Sequence, residues 1–318
     1  MIEIIHNCDF HYDLVILLLA LLFDALYPFH RGFLLKIHPV HSCYVLATKL
    51  IKPHESKVYG ILLWLVCILS HISPIVLLMY VLSACSSQLW HIIFWIITAV
   101  WFLKTSFSIR LLIDIGLNVY NYALCNDLDK VRYWVQQIVR RDVYSLDKEH
   151  VLSACIESIA ESLVDGTVSP LFYYPFFGIF GPLIQRLSNT LDGVVGFKTP
   201  ELKDIGWFSA LMDSIINFIP ARLTAVYIIL SSAILGYNWR NALRIYLRDR
   251  RKTDSINAGH PMSAMAGALG VCLEKVGYYR LGDKFKTIEP SDVFKAIKIA
   301  LLSTLIHLLI IAILLLVI

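Results

Sequence analysis

The string CIESIAESLVDGTVSP, residues 155–170, puts three carboxylates where they could do chemistry. Glu157, Glu161 and Asp165 are spaced i, i+4 and i+8. On a regular helix of ~100° per residue they form one stripe that drifts only about 80° over two turns. Like charges stacked this way repel in water. A cation among them would relieve the repulsion, and hard oxygen ligands of this kind suit Mg²⁺, which commonly bridges carboxylates and substrate phosphates. An exposed acidic face, or carboxylates paired with arginines from elsewhere, would give the same pattern.

Two further strings carry polar groups of the right type. In residues 188–223, Asn189, Thr190 and Asp192 precede a Gly-Val-Val-Gly turn, and Asp204, Asp213, Asn217 and Arg222 follow. Asp213 and Asn217 are i, i+4 on an apolar helix expected to stop at Ile219–Pro220. There they would face a partner, a cavity or a ligand. In residues 248–271 a basic run leads into Asn257-Ala258-Gly259-His260-Pro261 and then a helix of small residues. A Gly-containing turn that opens a helix can cradle a phosphate on its first N–H groups, although the small residues also suit a tight packing face. Neither a P-loop nor a G-x-G-x-x-G string occurs. His38 and His41 flank Pro39 in KIHPVHS, near Asp24. No third metal ligand accompanies them, so a structural or hydrogen-bonding role for His38 is favoured over zinc.

The elements that must position these groups are apolar. Of 318 residues, 58% are hydrophobic and 16% charged, with a mean hydropathy of +0.67. That composition excludes a disordered chain and an ordinary soluble enzyme, and it points to lipid as a second solvent. A net charge of +4 with no basic-aromatic interleaving gives no reason to expect nucleic acid. The 7 cysteines have no C-x-x-C and no disulfide spacing, so all are expected reduced. The N-terminal stretch, with Glu3, Asp9 and Asp13 and no basic residue, does not read as a secretory signal. The expected fold is all-α: a polytopic integral membrane protein forming one domain over 1–318. Spans are expected near 14–29, 60–82 (with a kink at Pro74), 89–103, 223–237 and 299–318. The stretch 168–183, broken by prolines and glycines, is expected to be re-entrant or protein-buried. No strand is expected.

Lys and Arg number five in 30–59, seven in 104–150 and twelve in 238–298. The positive-inside tendency then places 30–59 and the long helical connections 104–165 and 238–298 in the cytoplasm, with 1–13 and the tip 83–88 outside. The connection 186–222 would lie outside if 168–183 crossed fully, and inside if that stretch dips in and returns, with 207–237 then folding back at a break near Pro220.

Taken in order, several strings resemble the membrane-bound adenosylcobinamide-phosphate synthase family of cobalamin (vitamin B12) biosynthesis. They are IHPV at 37–40, RD at 141–142, ESIAES-VDG-SPLF across 157–172, NTLDGVVGF at 189–197, PARLT at 220–224 and NAG-P…AMAGALGV across 257–271. The resemblance covers nearly all of the chain beyond the first ~20 residues. It departs from the family after Asp24, where Ala-Leu-Tyr-Pro replaces the usual Gly-Asp-Pro. Further departures are Ser162, Asp213-Ser214, Ile256 and Glu274-Lys275.

The resemblance implies an ATP-dependent ligase that joins (R)-1-aminopropan-2-ol, or its O-phosphate, to the free propionate of adenosylcobyric acid. The partners would be those substrates and the lipid bilayer, in the cell membrane, with the active site facing the cytoplasm. Oligomeric state stays open, a homo-oligomer included. Under this reading Glu157, Glu161 and Asp165 hold Mg²⁺ and ATP, and Asp192 and Asp213 are further ligands or the base that takes the amine's proton. His38, Asn189, Thr190, Asn217, Arg222, Asn257 and Gly259 contact substrate or phosphate. Two rivals are a non-catalytic membrane sensor, like signalling proteins linked to β-lactamase induction, and a corrinoid transporter. A sensor would be expected to lack the carboxylate stripe and the Asn-Ala-Gly turn. A transporter would need ionisable residues at mid-bilayer depth, where only Asp24 and neutral His are available.

Overall fold

The computed structural model describes residues 11–83 and 88–317. The tip 84–87 and residues 1–10, expected outside the membrane, lie outside the described residues, as do Cys8, Cys85 and Ile318. Among the described residues the regular elements are helices except for one short hairpin, and the contacts divide the chain into two compact units. The first comprises Met1–Ser108, Ser169–Ile216 and Ile310–Ile318; the second comprises Ile109–Val168 and Asn217–Leu309.

The first unit holds α1 (His11–Leu26), α2 (Gly32–Lys36), α3 (Pro39–Leu50), α4 (Lys57–Ser83), α5 (Gln88–Ser106), α9 (Ser169–Phe177), α10 (Phe180–Val195) and α11 (Trp207–Ile216). Helix α1 packs on α5, and α10 packs on α3 and α11. Helix α4 runs unbroken through Pro74 and leaves Leu62, Leu69, Leu77 and Val81 exposed, as a lipid-facing helix would. The stretch 168–183 is not one straight span. Its helices α9 and α10 meet at Gly178, whose φ of +54° suits glycine's freedom in the left-handed region. Asp24, the one acidic group in its apolar run, is buried against Lys104 of α5 at 2.7 Å. Each charge neutralises the other within the helix pair, and Lys104 had not been expected to do this.

The second unit holds α6 (Arg110–Leu124), α7 (Leu128–Gln136), α8 (Lys148–Leu163), a π-helix (Val164–Val168), α12 (Phe218–Ile234), α13 (Trp239–Asp249), α14 (Gly259–Leu269), strands β1 (Leu273–Lys275) and β2 (Tyr279–Leu281), and most of α15 (Pro290–Val317). Asp127, Asp147 and Asn238 accept the backbone N–H three residues on and so start α7, α8 and α13. Every residue of α14 is buried, and Gly270 in the left-handed region ends it. Small residues permit this packing. A Cβ on Gly267 would lie 2.7 Å from the Ala242 Cα of α13, and the Asn241 amide donates to the Gly267 carbonyl at 2.7 Å. Leu152, Ile156, Ala225, Ile228, Met265 and Ala296 form part of the apolar core. The strands pair antiparallel, Leu273 opposite Leu281. The sequence showed no alternation here because three residues per strand are too few to display it.

Among the described residues, three helical stretches are long and apolar enough to cross a membrane: Lys57–Leu82, Leu89–Leu124 and Pro290–Val317. They become four if the pair α11 and α12 counts as one span. The expected span at 14–29 is a helix of 16 residues. At 1.5 Å per residue it reaches about 24 Å, short of the ~30 Å hydrocarbon layer. The span expected at 223–237 belongs to a helix of 17 residues. The third and final expected spans lengthen instead: 89–103 extends into α5, and 299–318 begins earlier, at Pro290.

Candidate functional site

In the second unit the expected carboxylate stripe runs over two helical geometries. Helix α8 carries Glu157 and Glu161, but the backbone changes to the wider π-helical turn at Val164, so Asp165 leaves the 100° register. Among the described residues no group of three or more His, Cys, Asp or Glu is arranged to hold an ion.

Glu157 is buried and both its oxygens are engaged. Arg141 Nη2 and Ser153 Oγ donate to Oε1 at 3.1 and 2.8 Å, and Tyr279 OH donates to Oε2 at 2.7 Å. The Glu274 N–H in turn donates to Ser153 Oγ at 2.9 Å. Glu157 therefore clasps the hairpin onto α8. Burial, the Glu157 charge and its hydrogen bond push the Tyr279 hydroxyl well above its ordinary pKa, with Glu161 adding to the field, so Tyr279 stays a donor. Glu161 is exposed and Asp165 half-buried. One or two carboxylates beside substrate phosphates are enough for Mg²⁺.

The second part of this unit joins two candidates far apart in sequence. Arg222 of α12 donates from Nη1 to Asn257 Oδ1 at 3.2 Å, and its guanidinium lies 3.4 Å from the centre of the Phe218 ring. Ser255 Oγ accepts from the N–H groups of Asn257 and Ala258, fixing the turn before α14. Gly259 is required there, because a Cβ would lie 2.4 Å from the Arg250 carbonyl oxygen. His260 Nδ1 meets Tyr246 OH at 3.2 Å, and Arg250 sits over the Tyr246 ring at 5.2 Å. Burial, then Arg222, Arg250 and Arg251, push the His260 pKa down to about 4. Arg222, Arg250 and Arg251 form no ion pair with a carboxylate among the described residues. Three uncompensated guanidiniums can take a phosphate-bearing anion.

Asn217 is buried and stands between helices rather than on one with Asp213. Helix α11 ends at Ile216 and α12 begins at Phe218. Pro220 lies in the first turn of α12, where a missing N–H costs nothing, and it does not end the helix.

In the first unit, Asn189 Nδ2 donates to Asp213 Oδ1 at 3.1 Å, and Arg186 approaches Asn189 Oδ1 at 3.4 Å. Thr190 spends its hydroxyl on the Arg186 carbonyl of its own helix. Asp192 lies half-buried one turn before Gly196, whose N–H donates to the Asp192 carbonyl. His38 precedes α3 and packs edge-on against His30 at 4.7 Å. Burial and the nearby His30, Arg186, Lys104 and His41 lower the His38 pKa to about 3, so it is a neutral imidazole.

Sequence reasoning did not assign roles to Arg141, Ser153, Tyr246, Arg250, Arg251, His260 or Tyr279. Arg141 stood in the matched RD string, and Arg250 and Arg251 in the visible basic run. Nothing in the sequence singled out Tyr279.

The model of the CobD/Cbib protein family matches residues 17–304. A probable cobalamin biosynthesis protein CobD of Aeropyrum pernix is 46% identical over 263 residues, which is 83% of this chain and 81% of that protein. One of Methanothermobacter thermautotrophicus with the same description is 41% identical over 201 residues, covering 63% of this chain and 67% of its own. The cobalamin biosynthesis protein CobD of Dehalococcoides mccartyi is 36% identical over 236 residues, covering 74% and 75%. No solved structure matches. With nearly its full length matched, this chain belongs to the CobD/Cbib protein family.

Proposed function

We propose that this protein acts in cobalamin biosynthesis as a membrane-embedded, ATP-dependent ligase. It would join aminopropanol, or its phosphate, to the free propionate of adenosylcobyric acid. The observation that carries the reading is the Arg222–Asn257 junction with its neighbouring Arg250 and Arg251. A carboxylate is a poor acyl donor because its oxygen is a poor leaving group. Phosphoryl transfer from ATP would turn that oxygen into phosphate, which leaves when the amine nitrogen attacks.

In this reading Arg222, Arg250 and Arg251 bind the phosphates and Asn257 orients Arg222. Glu161 and Asp165 would hold Mg²⁺, which supplies charge neutralisation to the phosphoryl group. Glu157 fixes the hairpin and does not ligate. Asp192 and Asp213 remain proposed as the base that takes the amine's proton. The long apolar helices support placement in the cell membrane, with the site on the cytoplasmic side where ATP is found.

The test is to incubate purified protein with cobyric acid, aminopropanol or its phosphate, and Mg-ATP, and to weigh the corrinoid. A mass gain equal to amine minus water, dependent on ATP, is expected. An unchanged corrinoid mass with both amines would refute the assignment. Transfer of label from the carboxylate oxygen into phosphate tests the activation step.

A further inference from the structure

The first unit contains a cavity of about 640 Å³ that the proposed ligation does not use. It lies among the end of α4 (Met79, Leu82), the early turns of α5 (His91, Trp95), and the α9–α10 turn with Phe176, Phe177 and Phe180. Asp13 and the buried amide of Gln185 are among its few polar walls, and Tyr174 OH donates to Asp13 Oδ1 at 3.2 Å. Among the described residues no Lys or Arg lines it. A nucleotide or a corrinoid carboxylate, with net negative charge and no ammonium of its own, would therefore meet no compensating cation there, and Asp13 would repel it.

Volume and lining instead match an apolar body with a small polar end. Helices α4 and α5 are read as membrane-spanning, so the end of one and the start of the next approach the level where hydrocarbon meets headgroups. Aromatic side chains are favoured at that level. We propose that this cavity binds one hydrocarbon chain of an ethanolamine-headed bilayer lipid, with its amine end toward Asp13. The inference rests on the membrane reading and is independent of the ligase reading. An apolar cavity left empty forfeits its packing contacts, so a chain from the surrounding bilayer is the natural filler. Such a lipid would bridge the α4, α5 and α9–α10 walls and give the fold a direct requirement for the bilayer.

The test uses the full chain, equilibrated with vesicles of phosphatidylethanolamine, phosphatidylglycerol, or phosphatidylglycerol doped with free palmitate, and then examined by native mass spectrometry. One phosphatidylethanolamine per chain is expected to stay bound, about tenfold more tightly than phosphatidylglycerol, and palmitate is expected to be lost. Asp13→Asn should erase the headgroup preference while the chain is still held. Ile184→Trp, and separately Met212→Trp, should fill the cavity and release the lipid. Retention unchanged in both filling variants, equal retention of the two lipids by the wild type, preferential retention of palmitate, or no retained lipid would each overturn the proposal. Ligase activity need not change in any arm.

Discussion

Two sets of cations in the second unit differ in one respect. Arg244, Arg248 and Lys252 are matched to carboxylates. Arg248 forks onto fully buried Asp249 at 2.7 and 2.8 Å, Lys252 adds a third contact at 2.6 Å, and Arg244 and Arg248 share Asp283. Gly282 N–H completes the shell around Asp249 at 2.8 Å. Arg222, Arg250 and Arg251 have no carboxylate, although Arg250 and Arg251 belong to the same basic run. Neutralised charge staples α13 to the segment after the hairpin. Unneutralised charge is left facing the turn before α14, where its cost is recovered only when an anion arrives.

The largest expected effect separates these sets. Arg222→Ala should weaken Mg-ATP binding by about 10- to 100-fold, the scale of a lost charge-assisted hydrogen bond, with little change in melting temperature. Arg248→Ala should do the reverse: unfolding free energy falls by about 1–2 kcal/mol, moderated by the remaining Lys252 and by solvent screening, and nucleotide affinity holds. Titration calorimetry and thermal melts of both variants would decide it, and matching profiles would erase the distinction.

Glu157→Gln comes next. It should cost about 1–3 kcal/mol of stability by leaving Arg141 without its charge partner, and Tyr279→Phe should cost less. Loss of ligand binding by Glu157→Gln at an unchanged melting temperature would return Glu157 to the ligands.

A third effect is acid sensitivity. Burial alone would raise the Asp249 pKa, but Arg248, Lys252 and the Gly282 N–H overcome it and hold the group at about 2, against an ordinary 3.8. The depressed value adds stability that is present above about pH 4 and is lost as pH falls towards 2. Asp249→Asn should flatten that limb of the stability curve.

The smallest effect reads the unpaired set directly. His260, held down to about 4 from 6.5, is neutral near pH 7, and its contribution costs stability as pH falls from 6.5 towards 4. Nucleotide phosphates beside Arg222 should raise its pKa, as should Arg251→Ala. Imidazole resonances followed through a pH titration would show either shift, and a fixed value on nucleotide addition would place the anion elsewhere.

The sequence made the helical class readable because apolar runs of twenty residues have few other uses, and the helix at 60–82 fell nearly where expected. Arg222 and Asn257 were legible as polar exceptions in apolar or small-residue surroundings, though not as a pair 35 residues apart. Periodicity assumes one helical geometry, so the π-turn that holds Asp165 was not legible, because no residue type announces one. Spacing also cannot reveal that a carboxylate's oxygens are already engaged. Tyr279 was invisible because its partner is remote and its strand too short to alternate. Asp24 looked like a lone charge because Lys104 reaches it from a separate helix.

The clasp on Glu157 also has a direction in time. Arg141 and Ser153 leave the ribosome before Glu157 does, but Tyr279 follows 122 residues later. At ordinary synthesis rates of ~5–20 residues per second that is a delay of about 6 to 24 s. Throughout it the nascent chain carries an acidic group whose Oε2 lacks its tyrosine donor. Translation arrested before residue 279 would therefore leave an intermediate that proteases can tell from the finished chain.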